Sequence, residues 1–148
     1  LAVPHGTDMG GGIKALDHLR LLRRDQAQVM GQQIEEVLTR QGLTPPNWFE
    51  LDSNQSISAL VAGGTGWTIT TPLSLLRAGR FRDAIDAHPL PFQGFSRRIV
   101  LYSGPDWAGE VPGQIAGLAR DLIETHFTRP GLAQMPWLEG SFRSLGPA

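Results

Sequence analysis

The segment from Glu50 to Pro72 constrains the fold of this chain more than any other part of the sequence. A strand end is followed by a short apolar helix, a glycine turn and alternating residues that predict a second strand. Ser53, Asn54 and Ser56 are good N-cap residues, because their side-chain oxygens accept hydrogen bonds from free helix N–H groups. The segment therefore predicts a β-α-β unit, and a capped helix start of this kind is a common way to hold a small anion or polar ligand.

The glycines after this helix favour a turn over a phosphate-binding loop. Gly63, Gly64 and Gly66 stop the helix and allow positive φ angles. A dinucleotide-binding fingerprint has a different glycine spacing, and it opens a helix instead of ending one. We therefore expect a turn that leads directly into the strand Trp67–Thr71.

The composition indicates one globular domain and narrows the range of functions. The chain has 148 residues, of which 41% are hydrophobic and 18% charged, as in a folded domain. Its net charge of −1 gives no electrostatic footprint for nucleic acid. The absence of cysteine excludes disulfides, thiolate metal sites and a cysteine nucleophile, and it fits a cytoplasmic protein. No signal peptide or membrane-spanning run is present, and the start at Leu1 suggests a piece of a longer polypeptide.

Strand and helix patterns alternate along the chain. Further strands are predicted over Leu1–Val3, Leu19–Leu22, Trp48–Leu51 and Arg98–Ser103. Further helices are predicted over Asp25–Gln41, with Asp25 as cap, over Leu73–Arg77, and from Pro112 to Ile123. This order predicts an α/β fold with a mostly parallel sheet flanked by helices.

Polar residues follow two of the predicted strands, at the carboxyl edge where α/β sheets bind their ligands. Either Arg23 or Arg24 can pair with a carboxylate there, although an exposed loop with a helix cap explains Arg23, Arg24, Asp25 and Gln26 equally well. At the start of the next helix, Ser53, Asn54 and Gln55 can contact a ligand. Ordinary helix capping is the alternative explanation for Ser53 and Asn54.

The succession of elements resembles the effector-binding domain of LysR-type transcriptional regulators. The resemblance rests on Leu-Val-Ala-Gly-Gly-Thr-Gly at residues 60–66, on Pro72, on Pro89-Leu90-Pro91, and on a strand beginning at Arg98 before a last amphipathic helix. It covers about the first 127 residues, and the tail from residue 128 to residue 148 is expected to be irregular.

The resemblance implies a fold like that of type-II periplasmic binding proteins, with two α/β subdomains. Residues 1–92 would form the second subdomain, and residues 97–127 would supply the returning strand and helix of the first. The DNA-binding domain and most of the first subdomain are expected to be absent from this chain. In the family, a small effector in the cleft between the subdomains changes how a dimer sits on DNA.

The resemblance also implies roles for particular residues. The helix over Asp25–Gln41 would mediate dimerisation, and a carboxylate is one candidate for the effector. Thr65 and Trp67 would lie near the hinge and border the cleft. Together with these two, the expected effector-binding residues are Arg23, Arg24, Asp25, Gln26, Ser53, Asn54 and Gln55.

Two other classes of function are alternatives to a non-catalytic regulatory domain. A solute-binding protein of a transporter has a similar fold but needs an export signal. An enzyme is disfavoured because no nucleophile, acid–base pair or metal cluster assembles, and the four scattered histidines lack metal-ligand spacing. We therefore expect no cofactor and no metal, and we interpret the stripe Ile115, Leu118, Leu122 and Ile123 as buried core.

Overall fold

The described residues of the computed structural model, 1–45, 48–104, 109–141 and 145, belong to two units, Leu1–Phe95 and Ser96–Ala148. The first unit is a mixed α/β structure. Its strands are β1 (Ala2–Pro4), β2 (Arg20–Arg24), β3 (Trp48–Leu51), β4 (Gly66–Trp67) and β5 (Ile85–Ala87). Its α-helices are α1 (Val29–Arg40), α2 (Asn54–Ala62) and α3 (Pro72–Leu76), and 3-10 helices cover Gly12–Leu16 and Gly79–Ala84.

Two small sheets organise the first unit. The three-stranded sheet has the order β3-β2-β4 and is parallel throughout, with Leu21 opposite both Trp48 and Trp67. The two-stranded sheet pairs β1 with β5 in antiparallel fashion. Ala2 of β1 also exchanges two 2.9 Å backbone hydrogen bonds with Thr68, directly after β4. The first strand of the unit therefore links the two sheets.

The prediction of a mostly parallel sheet agrees with the three-stranded sheet. The limits of several strands differ from those predicted. Arg23 and Arg24 are the last residues of β2, not the start of a loop. The strand predicted over Trp67–Thr71 ends at Trp67, because the chain beyond Thr68 turns into α3. Strand β5 was not predicted from the sequence, and its partner β1 is about 80 residues away in the chain.

Helix α1 forms where the apolar spacing predicts it. Its buried residues Gly31, Ile34, Val37 and Leu38 recur at helical intervals and lie against the sheet. The predicted cap was wrong, because the N-cap is Gln28 and Asp25 lies one turn earlier. Asp25 Oδ1 instead accepts a 2.8 Å hydrogen bond from the N–H of Ala27. The carboxylate therefore stabilises the turn that precedes the helix.

Helix α2 confirms the predicted β-α-β unit. The hydroxyl oxygen of Ser53 accepts a 3.3 Å hydrogen bond from the N–H of Ser56. At the other end, the N–H of Gly64 donates to Val61 and the N–H of Thr65 donates to Leu60. Gly64 has φ of 76°, the left-handed conformation that this pattern of C-terminal hydrogen bonds requires. The glycines therefore turn the chain, as predicted.

The main core cluster lies between α1 and the three-stranded sheet. Two of its members come from α1, and one each comes from β2 and β4. Strand β1 and the first 3-10 helix add others. Its buried residues are Leu1, Val3, Leu16, Leu21, Ile34, Leu38, Trp67 and Ile69.

The second unit is helical in its described part. It contains α4 (Val111–Ile123), a π-helical turn over Glu124–Thr128, α5 (Arg129–Gln134) and a 3-10 turn over Pro136–Leu138. Pro112 lies in the first turn of α4, as predicted. The tail is not uniformly irregular, because α5 and the 3-10 turn occupy residues 129–134 and 136–138. Residues 142–144 and 146–148 of that tail lie outside the described residues.

Two further predictions for the second unit were wrong. Residues 96–104 form neither a helix nor a paired strand, so the strand predicted over Arg98–Ser103 is not formed. A strand needs a hydrogen-bonded neighbour, and none is present among the described residues. The apolar stripe of α4 is not buried core either, since Leu118 is 65% exposed and Leu122 is 56% exposed.

Candidate functional site

The carboxyl ends of β3, β2 and β4 meet at one edge of the parallel sheet. The chain passes from β2 to β3 on one side of β2, and from β3 to β4 back across to the other side. Because such crossovers are right-handed, α1 and α2 cover opposite faces of the sheet. The direction of connection reverses between β2 and β4, which is where open α/β sheets form a ligand-binding crevice. We call this the switch-point edge, formed by residues 24–28, 51–55 and 68–74.

Arg23, one of the two candidate arginines, is engaged on the α1 face. Its Nε lies 3.3 Å from Glu35 Oε1, and its guanidinium carbon lies 4.8 Å from the ring of Trp48. Only 15% of its side chain is exposed, and neither charged atom has a hydrogen-bond partner in the described structure. The ion pair therefore offsets the burial of both charges, and Arg23 acts mainly in joining β2, α1 and β3.

Arg24 has a different environment from its neighbour. Successive side chains of a strand point to opposite faces, so Arg24 leaves the face on which Arg23 meets Glu35. Its Nε donates a 2.8 Å hydrogen bond to Gln28 Oε1. The amide nitrogen of Gln28 in turn donates to the carbonyl oxygen of Asp52 over 3.2 Å. Gln28 therefore connects the loop after β2 to the loop after β3.

The next two candidates continue the switch-point edge. The N–H of Asp25 donates to the carbonyl oxygen of Leu51 over 3.0 Å, which extends the β2–β3 pairing by one residue. Gln26 is exposed at the tip of the turn. The structure therefore brings Arg24, Asp25 and Gln26 to the same edge as the start of α2.

Side chains at the start of α2 fasten it to α3. Asn54 Nδ2 donates to the carbonyl oxygen of Ser74 over 3.1 Å. Gln55 Nε2 donates to the carbonyl oxygen of Arg77 over 3.0 Å. Ser53 caps its own helix. These three predicted site residues thus have structural partners that explain their identities, and they still lie at the switch-point edge.

The remaining two candidates lie away from this edge. Thr65 follows the glycine turn at the opposite end of α2, where its N–H completes the helix terminus. Trp67 is only 2% exposed and belongs to the core cluster. Its ring is therefore covered by core residues and has no surface to offer a ligand in this structure. The physical reason is that the side chain of Trp67 packs into the cluster between α1 and the three-stranded sheet.

A small recess adjoins the start of α2, and sequence analysis missed most of its polar residues. The recess is shallow, with about 220 Å³ of space when the open solvent at its mouth is included, and serines and threonines of α2, α3 and the segment before α3 line it. Thr68 Oγ1 donates to the carbonyl oxygen of Leu22 over 2.7 Å, and Thr70 also lines the recess. The alternating threonines before Pro72 were the available signal. The polar lining residues are Asn54, Ser58, Thr68, Thr70 and Ser74.

A His–Asp pair lies at the other side of the unit, between the end of β1 and β5. His5 Nδ1 lies 2.9 Å from Asp86 Oδ1, and the N–H of Gly6 donates to Asp86 Oδ2 over 2.8 Å. Burial opposes ionisation of Asp86, but these hydrogen bonds outweigh it and lower the pKa of the carboxyl. Within the described ranges, no group of three or more histidine, aspartate or glutamate side chains could hold a metal ion.

The comparison with protein families agrees with the geometry of the first unit. Residues 11–106, about two thirds of the chain, match the model of the LysR substrate binding domain. The chain therefore belongs to the family of LysR substrate-binding domains, which are the effector-binding domains of LysR-type transcriptional regulators. The family implies an α/β fold like that of periplasmic binding proteins, and the small parallel and antiparallel sheets are consistent with it. No curated protein and no solved structure gives a significant match to the chain.

Family membership bears on the other classes of function. LysR substrate-binding domains belong to regulatory proteins and not to enzymes. Among the residues that the structure describes, no helix is both long and apolar enough to cross a membrane.

Proposed function

We propose that this chain is the ligand-sensing part of a LysR-type regulator and that it binds a small effector at the switch-point edge. The family match over residues 11–106 carries the proposal. The edge supports it, because the β2–α1 loop, the capped start of α2 and the recess beside Thr70 converge there. We assign DNA binding to another part of the regulator, since the net charge of −1 provides no footprint for DNA.

The effector would act by favouring one arrangement of the regulator over another. A ligand shifts such an equilibrium only by its difference in affinity for the two states. The link from Arg24 through Gln28 to Asp52 supports this role, because a ligand at the edge would touch two connected loops at once. The regulator would act in the cytoplasm, where it reaches DNA, and this chain would carry out no catalysis.

We assign residues 1–92 to the second subdomain of the family fold and residues 97–127 to the first. The boundary between the two units after Phe95 supports this division. The exposed apolar side chains of Ile99, Val100 and Leu101 support it as well, since they suit a strand that pairs within another sheet. Helix α4 has the apolar stripe of a helix that covers such a sheet.

Dimerisation through α1 and its neighbouring strand is part of the same proposal. Val29 at the start of α1 is 61% exposed, and the edge-strand residues Trp48 and Phe49 are 48% and 41% exposed. Exposed aromatic side chains beside a free strand edge are typical of an interface. We expect sedimentation velocity to detect dimers of the chain, and Val29→Glu to shift them towards monomers. A wild-type chain that stays monomeric at high concentration would remove this part of the proposal.

A thermal-shift screen tests effector binding directly. The screen would contain small carboxylates, aromatic acids and neutral polar compounds. A ligand that binds the folded state alone raises the melting temperature, with a stabilisation of about 2.7 kcal/mol at one hundred times its dissociation constant. We expect at least one compound to do so, and Gln26→Ala together with Thr70→Val to reduce the shift. Tight, sequence-specific DNA binding by this chain in a gel-shift assay would contradict the assignment of DNA binding elsewhere.

A solute-binding protein of a transporter was the alternative with a similar fold. The family model that matches is that of the LysR regulators, and no structural observation favours transport. The regulatory role is therefore the one supported.

A further inference from the structure

Arg24 is a cation whose main hydrogen-bonding groups remain available at the switch-point edge. It is half-buried at the end of β2, and among the described residues its side chain is engaged only through Nε, which donates to Gln28 Oε1 over 2.8 Å. The ion pairs of the described residues do not include it. The N–H donors of its two Nη atoms therefore remain for a ligand.

The neighbouring arginine, Arg23, is used inside the protein and is not available to a ligand. Glu35 neutralises it at 3.3 Å, and Trp48 covers one face of its guanidinium. The two adjacent arginines of β2 therefore have different environments, because Arg23 faces α1 and Arg24 does not. The difference separates a structural arginine from one that is available for recognition.

Gln28 restrains the direction of the Arg24 side chain. The glutamine accepts from Nε of Arg24 and donates to the carbonyl oxygen of Asp52, so both of its polar atoms are used. A guanidinium held through Nε presents its Nη atoms in a fixed plane, and a planar fork matches a carboxylate in two parallel hydrogen bonds. Gln28 is therefore a positioning residue for Arg24.

The charges around Arg24 limit what it can bind. Asp25 and Asp52 are carboxylates in the two loops that Gln28 connects, and Asp25 Oδ1 is occupied by the N–H of Ala27. Their negative charges repel a doubly charged anion more than a singly charged one. A single planar carboxylate group matches the guanidinium donors of Arg24 and carries only one negative charge, so it is repelled less than a doubly charged anion.

We infer that Arg24, positioned by Gln28, binds the effector through a carboxylate group, and that the effector is a small monocarboxylic acid. The inference rests on the proposed function, because it requires that the effector binds at the switch-point edge. It assigns recognition to one of the two arginines and excludes Arg23 from direct contact.

Calorimetric titration of the 148-residue chain tests this assignment. The probes are benzoate, phenylacetate and hexanoate, the neutral amide of each, and inorganic sulfate and phosphate. We expect at least one carboxylate to bind and its amide to bind at least about tenfold more weakly, since hydrogen bonds to charged groups contribute more than neutral ones. Arg24→Gln should lower the affinity for the carboxylate by about ten- to one-hundredfold and leave the affinity for the amide nearly unchanged.

Matched variants distinguish recognition from folding. Arg24→Lys keeps the charge but loses the fork, so we expect an intermediate affinity. Gln28→Leu should lower the affinity for the carboxylate by a smaller factor than Arg24→Gln does. Arg77→Gln removes an exposed arginine whose side chain makes no described contact, and it should leave the affinity unchanged. Circular dichroism and melting temperatures of the free variants should remain close to those of the wild type.

Each remaining outcome counts against the inference. A carboxylate that binds Arg24→Gln as well as it binds the wild type, an amide that matches its acid, or preferential binding of sulfate or phosphate would overturn it. If only neutral compounds bind, the effector-binding role stands and the carboxylate assignment fails. If no compound binds at millimolar concentration, both fail.

Discussion

Asn54, the first residue of α2, donates from its side-chain amide to the carbonyl oxygen of Ser74 in α3, over 3.1 Å. A residue that suggests ligand contact in the sequence therefore holds two helices together. Ser74 also donates its N–H to the hydroxyl oxygen of Thr71, which caps α3. The start of α2 and the whole of α3 thus form one hydrogen-bonded group beside the recess.

We expect Asn54→Ala to lower the free energy of unfolding by about 1 kcal/mol, because the carbonyl oxygen of Ser74 loses its donor. Urea denaturation followed by circular dichroism measures this change. Gln26→Ala is the matched control at the same edge, where the exposed side chain makes no described contact, and it should stay within about 0.5 kcal/mol of wild type. Equal stability of the two variants would show that the link to α3 is not formed in solution.

Gly31 should not tolerate a side chain, although it lies inside a helix. A Cβ at Gly31 would overlap the carbonyl oxygen of Asp25, because the first turn of α1 packs closely on that loop. We expect Gly31→Ala to destabilise the chain by about 1–3 kcal/mol through overpacking. Gly117→Ala in α4 makes the same change where nothing lies within 4 Å. It should stabilise the helix by about 0.5–1 kcal/mol, and opposite signs in thermal unfolding are the expected result.

The Arg23–Glu35 pair should show measurable coupling, since both side chains are largely buried at 15% and 24% exposure. A double-mutant cycle with Arg23→Met and Glu35→Gln should give a coupling energy of about 1 kcal/mol, towards the upper end for exposed pairs. Neither change should alter the preference for a carboxylate over its amide if Arg24 is the recognition residue. A coupling energy near zero would mean that the two charges are solvated separately.

Asp86 should make stability depend on pH in the acid range. Its pKa is lowered in the folded chain, so its contribution is present above the ordinary pKa of aspartate and is lost as pH falls through the lowered folded value. We expect the wild type to melt above Asp86→Asn at pH 6 and the difference to shrink as pH falls through about 4 towards 2. A difference that does not change over this range would contradict the role of the charged carboxylate.

The local parts of the fold could be predicted from the sequence, and the long-range parts could not. Ser53 and Gly64 define both ends of α2 through chemistry that acts within a few residues, and both were predicted. Strand β5 was missed because Ile85, Asp86 and Ala87 form no pattern by themselves, and their partner strand lies at the start of the chain. Amphipathicity likewise showed that α4 has an apolar face but could not show whether anything covers it.

The sequence predicted which polar residues lie together at this edge better than it predicted the environment of each one. Arg24 and the start of α2 do meet at the carboxyl ends of the parallel strands. The different environments of Arg23 and Arg24 depend on Glu35 and Gln28, whose roles appear only when α1 is placed against the sheet. The burial of Trp67 could not be predicted, because an aromatic residue after a glycine turn suits a core as well as a cleft.

The pairing of β1 with β5 also has a consequence for synthesis of the protein. Ala2 lies opposite Ala87, so β1 lacks its β5 partner until about eighty further residues have been made. Val3, which is fully buried in the finished fold, must wait in the nascent chain until that partner leaves the ribosome. Because closure of so long a loop is slow, the first unit should complete its folding late, and its N-terminal segment is the part that most needs protection from aggregation during translation.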